Sequence, residues 1–209
     1  MGKLNLLLIG AGGHAHACID VIEQNGQFKI AGLVGLPSEM HNLHFGYSVI
    51  ATDDDLPHLS KKYCYAFIAL GHIQSSEKRI RLYQQASQLG FEFPVIIAPN
   101  AYVSRHAIVG GGTIVMHGAI INAGAKVGNN CIINNGSLVE HDATVEDYCH
   151  ISTGAIINGG VNIGEGSFIG SGTVIKEGVV IGKHCLVGLG LSVRHNQVDY
   201  SRFVGTAKS

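Results

Sequence analysis

Tryptophan is absent, proline occurs only four times, and charged residues make up just 14% of the 209-residue chain. With 46% hydrophobic residues, so little charge excludes an intrinsically disordered protein. A formal net charge of −1 leaves no clustered Lys/Arg excess for a nucleic-acid footprint. Long apolar runs are lacking too. The apolar start, Leu4 to Ile9, is too short for a signal peptide core or a membrane span, so the expectation is a cytoplasmic protein. The five cysteines (Cys18, Cys64, Cys131, Cys149, Cys185) are odd in number and contain no C-x-x-C pair. They indicate neither a disulfide framework nor a zinc ribbon. What is abundant instead is glycine, 29 residues, beside many Val and Ile and twelve histidines.

An internal repeat accounts for that combination. Residues 102–191, written in sixes, carry Val or Ile in the second column of all fifteen rows, from Val103 and Val109 to Ile181 and Val187. The sixth column is Ala, Ser, Thr, Cys or Val in every row except the one ending at Leu191. A period of six fits neither a helix nor a long alternating strand; it fits short strands joined by tight corners. The branched residue fills the interior, the small one lets adjoining walls meet, and Gly or Asn accepts the positive φ of a corner. Three sides of six make a coil of eighteen, so fifteen rows predict five coils of a parallel β-solenoid.

The first hundred residues read differently. A buried strand at Leu4–Ile9 precedes Gly10-Ala11-Gly12-Gly13-His14 and a helix to about Gln24. Further strands are expected near 29–34 and 66–70, a helix near 75–89 and a last strand near Val95. Strand and helix alternate, predicting a small Rossmann-like parallel α/β sheet. The expected domains are 1–98, the α/β unit, and 99–209, the solenoid with a C-terminal tail, whose six-residue pattern resembles that of hexapeptide-repeat, left-handed β-helix proteins; Pro94 and Pro99 mark the join. Gly10-x-Gly12-x-x-Ala15 after a strand offers bare N–H groups at a helix start to a phosphate. A nucleotide diphosphate and a purely structural turn are both open readings. NAD fits poorly, because the second strand ends in Leu33-Val34-Gly35-Leu36 without the acid that would hold the ribose.

On the solenoid the densest polar run is Asn134-Asn135, Glu140-His141-Asp142 and His150. Asp142 beside His141 suits an imidazole acting as a base. His141 and His150 lie nine residues apart, one and a half sides of a coil, so a site containing both lies between subunits. Cys131 and Cys149 fall in the inward column and are not expected to act as nucleophiles. Lys176, Lys183, Arg194 and Lys208 are candidate partners for phosphate groups.

Taken whole, a GAGGH-type α/β domain followed by a hexapeptide solenoid with LVEHDATVEDYCHISTGAIINGG resembles the sialic acid O-acetyltransferases and nucleotide-sugar N-acetyltransferases, above all the UDP-N-acetylbacillosamine and perosamine enzymes. The resemblance implies an acetyl-CoA-dependent homotrimer in surface-glycan precursor synthesis, with no metal. It implies His141 as general base supported by Asp142, and His150, Gly159 and Ser171 along the CoA arm. Gly12, Gly13, His14 and Gly71 would meet the nucleotide, and Asn134 the sugar. Two positions depart from the family's pattern: Gly35 stands where an acid is expected, and the closing Gly205-Thr206-Ala207-Lys208 lacks the usual proline. Rival readings are O-acetylation of a sialic-acid-like sugar, a non-catalytic trimeric sugar-nucleotide binder, and a zinc hydratase. The last is disfavoured because His106 and His141 are not a multiple of 18 apart.

Overall fold

A computed structural model describes residues 2–205. The chain divides into two compact units, residues 1–71 with 78–99 and residues 72–77 with 100–209. The short segment 72–77 therefore clusters with the repeat region, which the sequence does not signal.

In the first unit, β1 (Leu4–Ile9) pairs in parallel with β2 (Phe28–Gly35) and with the later strand β5 (Tyr65–Ile68). A short β3 (Leu43–His44) runs antiparallel to β4 (Tyr47–Thr52), which pairs in parallel with β2, giving the order β3-β4-β2-β1-β5. The β3–β4 hairpin is not anticipated by the sequence pattern. Its first arm is two residues long, and its turn uses positive φ at Phe45 (49°) and Gly46 (88°), the mirror-image turn that matches strand twist. Leu6 to Ile9 are fully buried, as a strand covered on both faces should be. Helix α1 (Gly13–Asn25) starts after Gly12 with no side-chain cap and stops at Gly26 (φ 74°), whose N–H donates to Ile22 O. A single turn, α2 (Leu56–Leu59), buries both its leucines. Helix α3 (Glu77–Gln88) buries Arg79, whose Nη1 donates to Ile68 O and Leu70 O at 2.6 Å each, fixing the carboxyl end of β5.

In the second unit each row contributes a two-residue strand, and each strand from Tyr102–Val103 to Val174–Ile175 pairs in register with the one eighteen residues later. Ile120 faces Leu138, Lys126 faces Thr144, and Ile132 faces His150. Three parallel ladders result: Tyr102–Val103 to Ser192–Val193, Ile108–Val109 to Val180–Ile181, and Ile114–Val115 to Leu186–Val187, extended by Arg202–Phe203. This is the left-handed parallel β-helix that the period predicts. From Val115 to Val187 the second-column residues are all buried, while Val103 and Val109 in the first coil are half-covered. The sixth column does more than stay small. Thr113 Oγ1 donates to Gly128 O (2.7 Å) and accepts the Cys131 N–H (2.9 Å) one coil on, and Ser167 and Thr173 repeat the bridge. Cys131, Cys149 and Cys185 are buried in this column, and desolvation pushes the Cys149 thiol well above its ordinary range.

Candidate active site

The three corners of the β-helix sort the candidate residues. The corner after the first ladder holds Glu140-His141-Asp142 in one coil, Asn158-Gly159-Gly160 in the next and Lys176-Glu177-Gly178 in the third. Glu140, His141, Asn158, Gly159, Glu177 and Gly178 line an open groove of about 630 Å³. His141 Nδ1 and Asp142 Oδ2 lie 3.0 Å apart, with side chains 67% and 74% exposed. Asp142 accepts from Nδ1–H, which leaves the Nε2 lone pair outward, the tautomer a base requires. That hydrogen bond, reinforced by the nearby negative charges of Asp142 and Glu140, holds the His141 pKa above the ordinary histidine value. Glu140 Oε2 accepts both the His141 N–H (3.1 Å) and Asn122 Nδ2 (2.9 Å), tying the dyad to the preceding coil.

His150 is elsewhere, on the third ladder, and buried. Its Nδ1 lies 2.8 Å from His72 O and its Nε2 3.2 Å from Asn134 Nδ2. The Asn134 amide is turned that way because its Oδ1 accepts the Asn135 N–H at 2.8 Å. A backbone carbonyl only accepts, so Nδ1 carries the proton and Nε2 accepts from the amide. Phe168 meets the imidazole edge-on at 5.1 Å. Ser171, at the adjoining corner, shares a 2.8 Å hydroxyl contact with Ser152. The expected residues thus form two groups on different edges of the β-helix: His141, Asp142, Gly159 and Lys176 on one, Asn134, His150 and Ser171 on the other.

Lys176 and Arg194 are exposed and follow the His141 corner upward, eighteen residues apart. Lys183 belongs to the remaining corner and pairs with Glu165 at 3.6 Å. Lys208 lies outside the described residues, as do Thr206 and Ala207.

In the first unit, Gly12, Gly13, His14 and Gly71 come together at the carboxyl ends of β1 and β5. A Cβ on Gly71 would stand 3.4 Å from the His14 ring. A small cavity of about 130 Å³ adjoins them, lined by Gly10, Gly12, Gly35, Glu39, Asp53 and Lys78 among others. A carboxylate lies beside the end of β2 all the same. The chain reverses through a short turn (Pro37–Glu39), and Glu39 Oε2 accepts the Leu36 N–H at 2.7 Å. A Cβ on Gly35 would lie 2.8 Å from that oxygen, so the missing side chain makes room for a carboxylate delivered four residues later. Glu39 is the residue sequence reasoning passes over; its signal is an acid three residues after Leu36, beyond a helix-starting Pro37. His72, the orienting partner of His150, carries no sequence signal because 78 residues separate them.

Among the described residues no group of three or more His, Cys, Asp or Glu is placed to hold a metal ion, and no helix is long and apolar enough to cross a membrane.

Comparison with known proteins agrees with this architecture. A family model described as the PglD N-terminal domain matches residues 5–86, and one for bacterial transferase hexapeptide repeats matches residues 160–190. No curated protein matches the sequence. Among solved structures, an Asn-for-His variant of perosamine N-acetyltransferase from Caulobacter crescentus, in complex with CoA and GDP-perosamine, is 31% identical. The match covers 98% of this chain and 94% of the other, with a TM-score of 0.90. The acetyltransferase domain of PglB from Neisseria gonorrhoeae, bound to acetyl coenzyme A, is also 31% identical over 96% of each chain, with a TM-score of 0.87. WeeI from Acinetobacter baumannii, 23% identical over 97% of each chain with a TM-score of 0.84, shares the fold. With a relative at this identity aligned along nearly its whole length, the chain belongs to the hexapeptide-repeat acetyltransferase family that includes perosamine N-acetyltransferase and the PglB acetyltransferase domain.

Proposed function

We propose that the protein moves the acetyl group of acetyl-CoA onto the amine of a nucleotide-linked amino sugar, in the cytoplasm where both precursors are made. The observation that carries this reading is the open His141–Asp142 dyad, with Nε2 free in a groove and Nδ1 committed to a carboxylate. Nε2 takes a proton from the sugar amine as the nitrogen attacks the thioester carbonyl. The carbon–sulfur bond then breaks, and CoA thiolate leaves, receiving the proton from His141. The four buried cysteines take no part: Cys131, Cys149 and Cys185 lie inside the β-helix, and Cys18 has its thiol pushed up to about 12 by burial; the exposed one, Cys64, belongs to the first unit and not to the β-helix that carries the dyad.

Oxyanion stabilisation falls to an amide. His150 Nε2 already accepts a hydrogen bond, so it has no proton to give, whereas Asn134 Nδ2 carries a second N–H. The Gly159 N–H is a further donor. The corner's own bonds come from its neighbours, Asn158 N to Ile175 O and Gly160 N to His141 O. Because the His141 and His150 groups occupy different edges, the reading requires a cyclic homotrimer in which one chain supplies the base and its neighbour the Asn134–His150 edge. Lys176 and Arg194 follow the base's corner and serve CoA phosphates; Lys183, paired with Glu165, is the weaker candidate.

The glycine-lined start of α1 takes the diphosphate, and Glu39 takes the ribose hydroxyls that an acid at position 35 would otherwise bind. The test is a transfer assay with acetyl-CoA and a panel of UDP- and GDP-linked amino sugars, run beside His141→Ala. Acetylation of an amino sugar, lost in the variant, is the expected result; unchanged turnover in the variant overturns the general-base role. Acetylation of a free sugar hydroxyl with no binding of nucleotide sugars overturns the substrate class.

A further inference from the structure

The His141–Asp142 dyad poses a problem of order. Both side chains are more than two-thirds exposed, and an ion pair at such a surface contributes little beyond what holding two side chains still costs. Something other than burial must hold the imidazole.

The coil above does so. Gly159 stands eighteen residues after His141, at the next level of the same corner. The three atoms nearest to a Cβ built on Gly159 all belong to the His141 ring: Cε1 and Nε2 at 2.8 Å and Cδ2 at 3.4 Å. The ring therefore rests on a bare Cα, with the basic nitrogen over the space a methyl group would fill. On the other side, one coil back, a Cβ on Gly124 would collide with Asp142 Oδ1, while the Asp142 N–H donates to Ala123 O at 3.2 Å. Asp142 itself sits at φ 59°, in the left-handed region.

The fold does not ask for glycine at 159. Its φ is not in the left-handed region, and the same place in other rows carries Arg105, Ala123, Asp147, Thr153 or Glu165. Compare Gly164, where a Cβ would strike the backbone of Gly182 at 2.6 Å, atoms that cannot swing aside as a side chain can. At Gly159 only an exposed ring is in the way, and it can swing aside.

We propose that Gly159 is a positioning residue: its missing side chain is the seat that fixes the His141 imidazole against Asp142 and keeps Nε2 open to the incoming amine. The inference rests on the reading of His141 as the base. Alanine at 159 keeps the backbone N–H and the corner, and displaces the ring alone.

The experiment follows the His141 imidazole through pH by ¹H–¹³C NMR in wild type, Gly159→Ala, Asp142→Ala and the double variant, with kinetics and melting temperatures alongside. In Gly159→Ala the His141 titration should move down toward that of an ordinary histidine, and kcat should fall about 10- to 100-fold. KM for acetyl-CoA and the melting temperature should hold. Adding Gly159→Ala to Asp142→Ala should shift the titration no further, because both act through one contact. A wild-type His141 titration in Gly159→Ala overturns the proposal, whether kcat holds or KM for acetyl-CoA rises. If the titration moves as expected but His141→Ala retains turnover, the general-base reading falls and the seat stands.

Discussion

Asn134 Nδ2 donates to His150 Nε2 at 3.2 Å, so the amide is the donor of the pair and the imidazole the acceptor. With Nδ1–H given to His72 O at 2.8 Å, the imidazole is a neutral acceptor toward the amide. On the proposed reading, the second Asn134 N–H is the group that meets the developing oxyanion. Replacing Asn134 by Asp removes every N–H at that point while keeping the shape. Steady-state kinetics should show kcat reduced about 10²- to 10³-fold, the usual effect of deleting one such donor, with KM for the nucleotide sugar changed far less. A kcat within about threefold of wild type would remove Asn134 from the reaction.

The dyad makes a pH prediction whose sign follows from its cause. Asp142, by its hydrogen bond first and its charge second, raises the His141 pKa. A base must be unprotonated, so activity is lost as pH falls through that raised value. Asp142→Asn should move the acid limb of the kcat/KM profile to lower pH, while lowering the plateau because a weaker base accepts the proton less readily. The stability linkage has the opposite sense. A histidine with a raised folded pKa stabilises the fold below its unfolded pKa, and that support disappears as pH rises through the folded one. At so exposed a pair this contribution is minor, so the melting temperature of Asp142→Asn should track wild type across the same range while the rate profile shifts. An acid limb that does not move separates Asp142 from the base.

How much of this is legible in the sequence depends on how far apart the interacting residues lie. The β-helix is legible because its contacts recur at eighteen: Val or Ile in one column predicts the buried stack, and even the Asn122–Glu140 bond can be read from the spacing. The same regularity puts His141 and His150 on different edges from their nine-residue separation alone. The β3–β4 hairpin is not legible, since its two-residue arm and Phe45-Gly46 turn are too short to carry a period. Nor is the use of His72, whose carbonyl reaches His150 across 78 residues. The carboxylate beside Gly35 is not legible for a physical reason: it comes from Glu39 through a reversal of the chain, and motif spacing assumes a straight exit from the strand.

Glu39 therefore carries a prediction of its own. Its carboxylate beside Gly35 and the Gly10–Gly12 turn would accept hydrogen bonds from a ribose diol, and bonds to a charged group contribute about 1.5–3 kcal/mol. Glu39→Gln keeps the size and removes the charge. KM for the nucleotide sugar should rise about tenfold or more, with kcat and KM for acetyl-CoA near wild type, since ribose contacts are the same in ground and transition states. The amide oxygen introduced at position 39 can still accept the Leu36 N–H, so the turn survives. An unchanged KM would leave Glu39 a turn-stabilising residue only.

Gly164 tests the β-helix rather than the chemistry. It lies on the corner after the second ladder, away from His141, and the atoms nearest to its Cβ are Gly182 C at 2.6 Å, Gly182 O at 2.7 Å and Lys183 N at 2.7 Å. All are backbone, and both coils are pinned there: Gly164 N donates to Ile181 O at 2.8 Å and Gly182 N to Gln197 O at 2.8 Å. A methyl group can be accommodated only by prising adjacent coils apart, which breaks these bonds in turn. Overpacking of this kind costs about 1–3 kcal/mol or more. For a chain of this size that lowers the melting temperature by roughly 2–4 °C per kcal/mol, so Gly164→Ala should melt roughly 2–12 °C below wild type. Gly159→Ala, made in the same background, should not. If both variants melted with wild type, coil spacing would be softer than the ladder implies, and a glycine could not serve as a fixed seat for a catalytic ring.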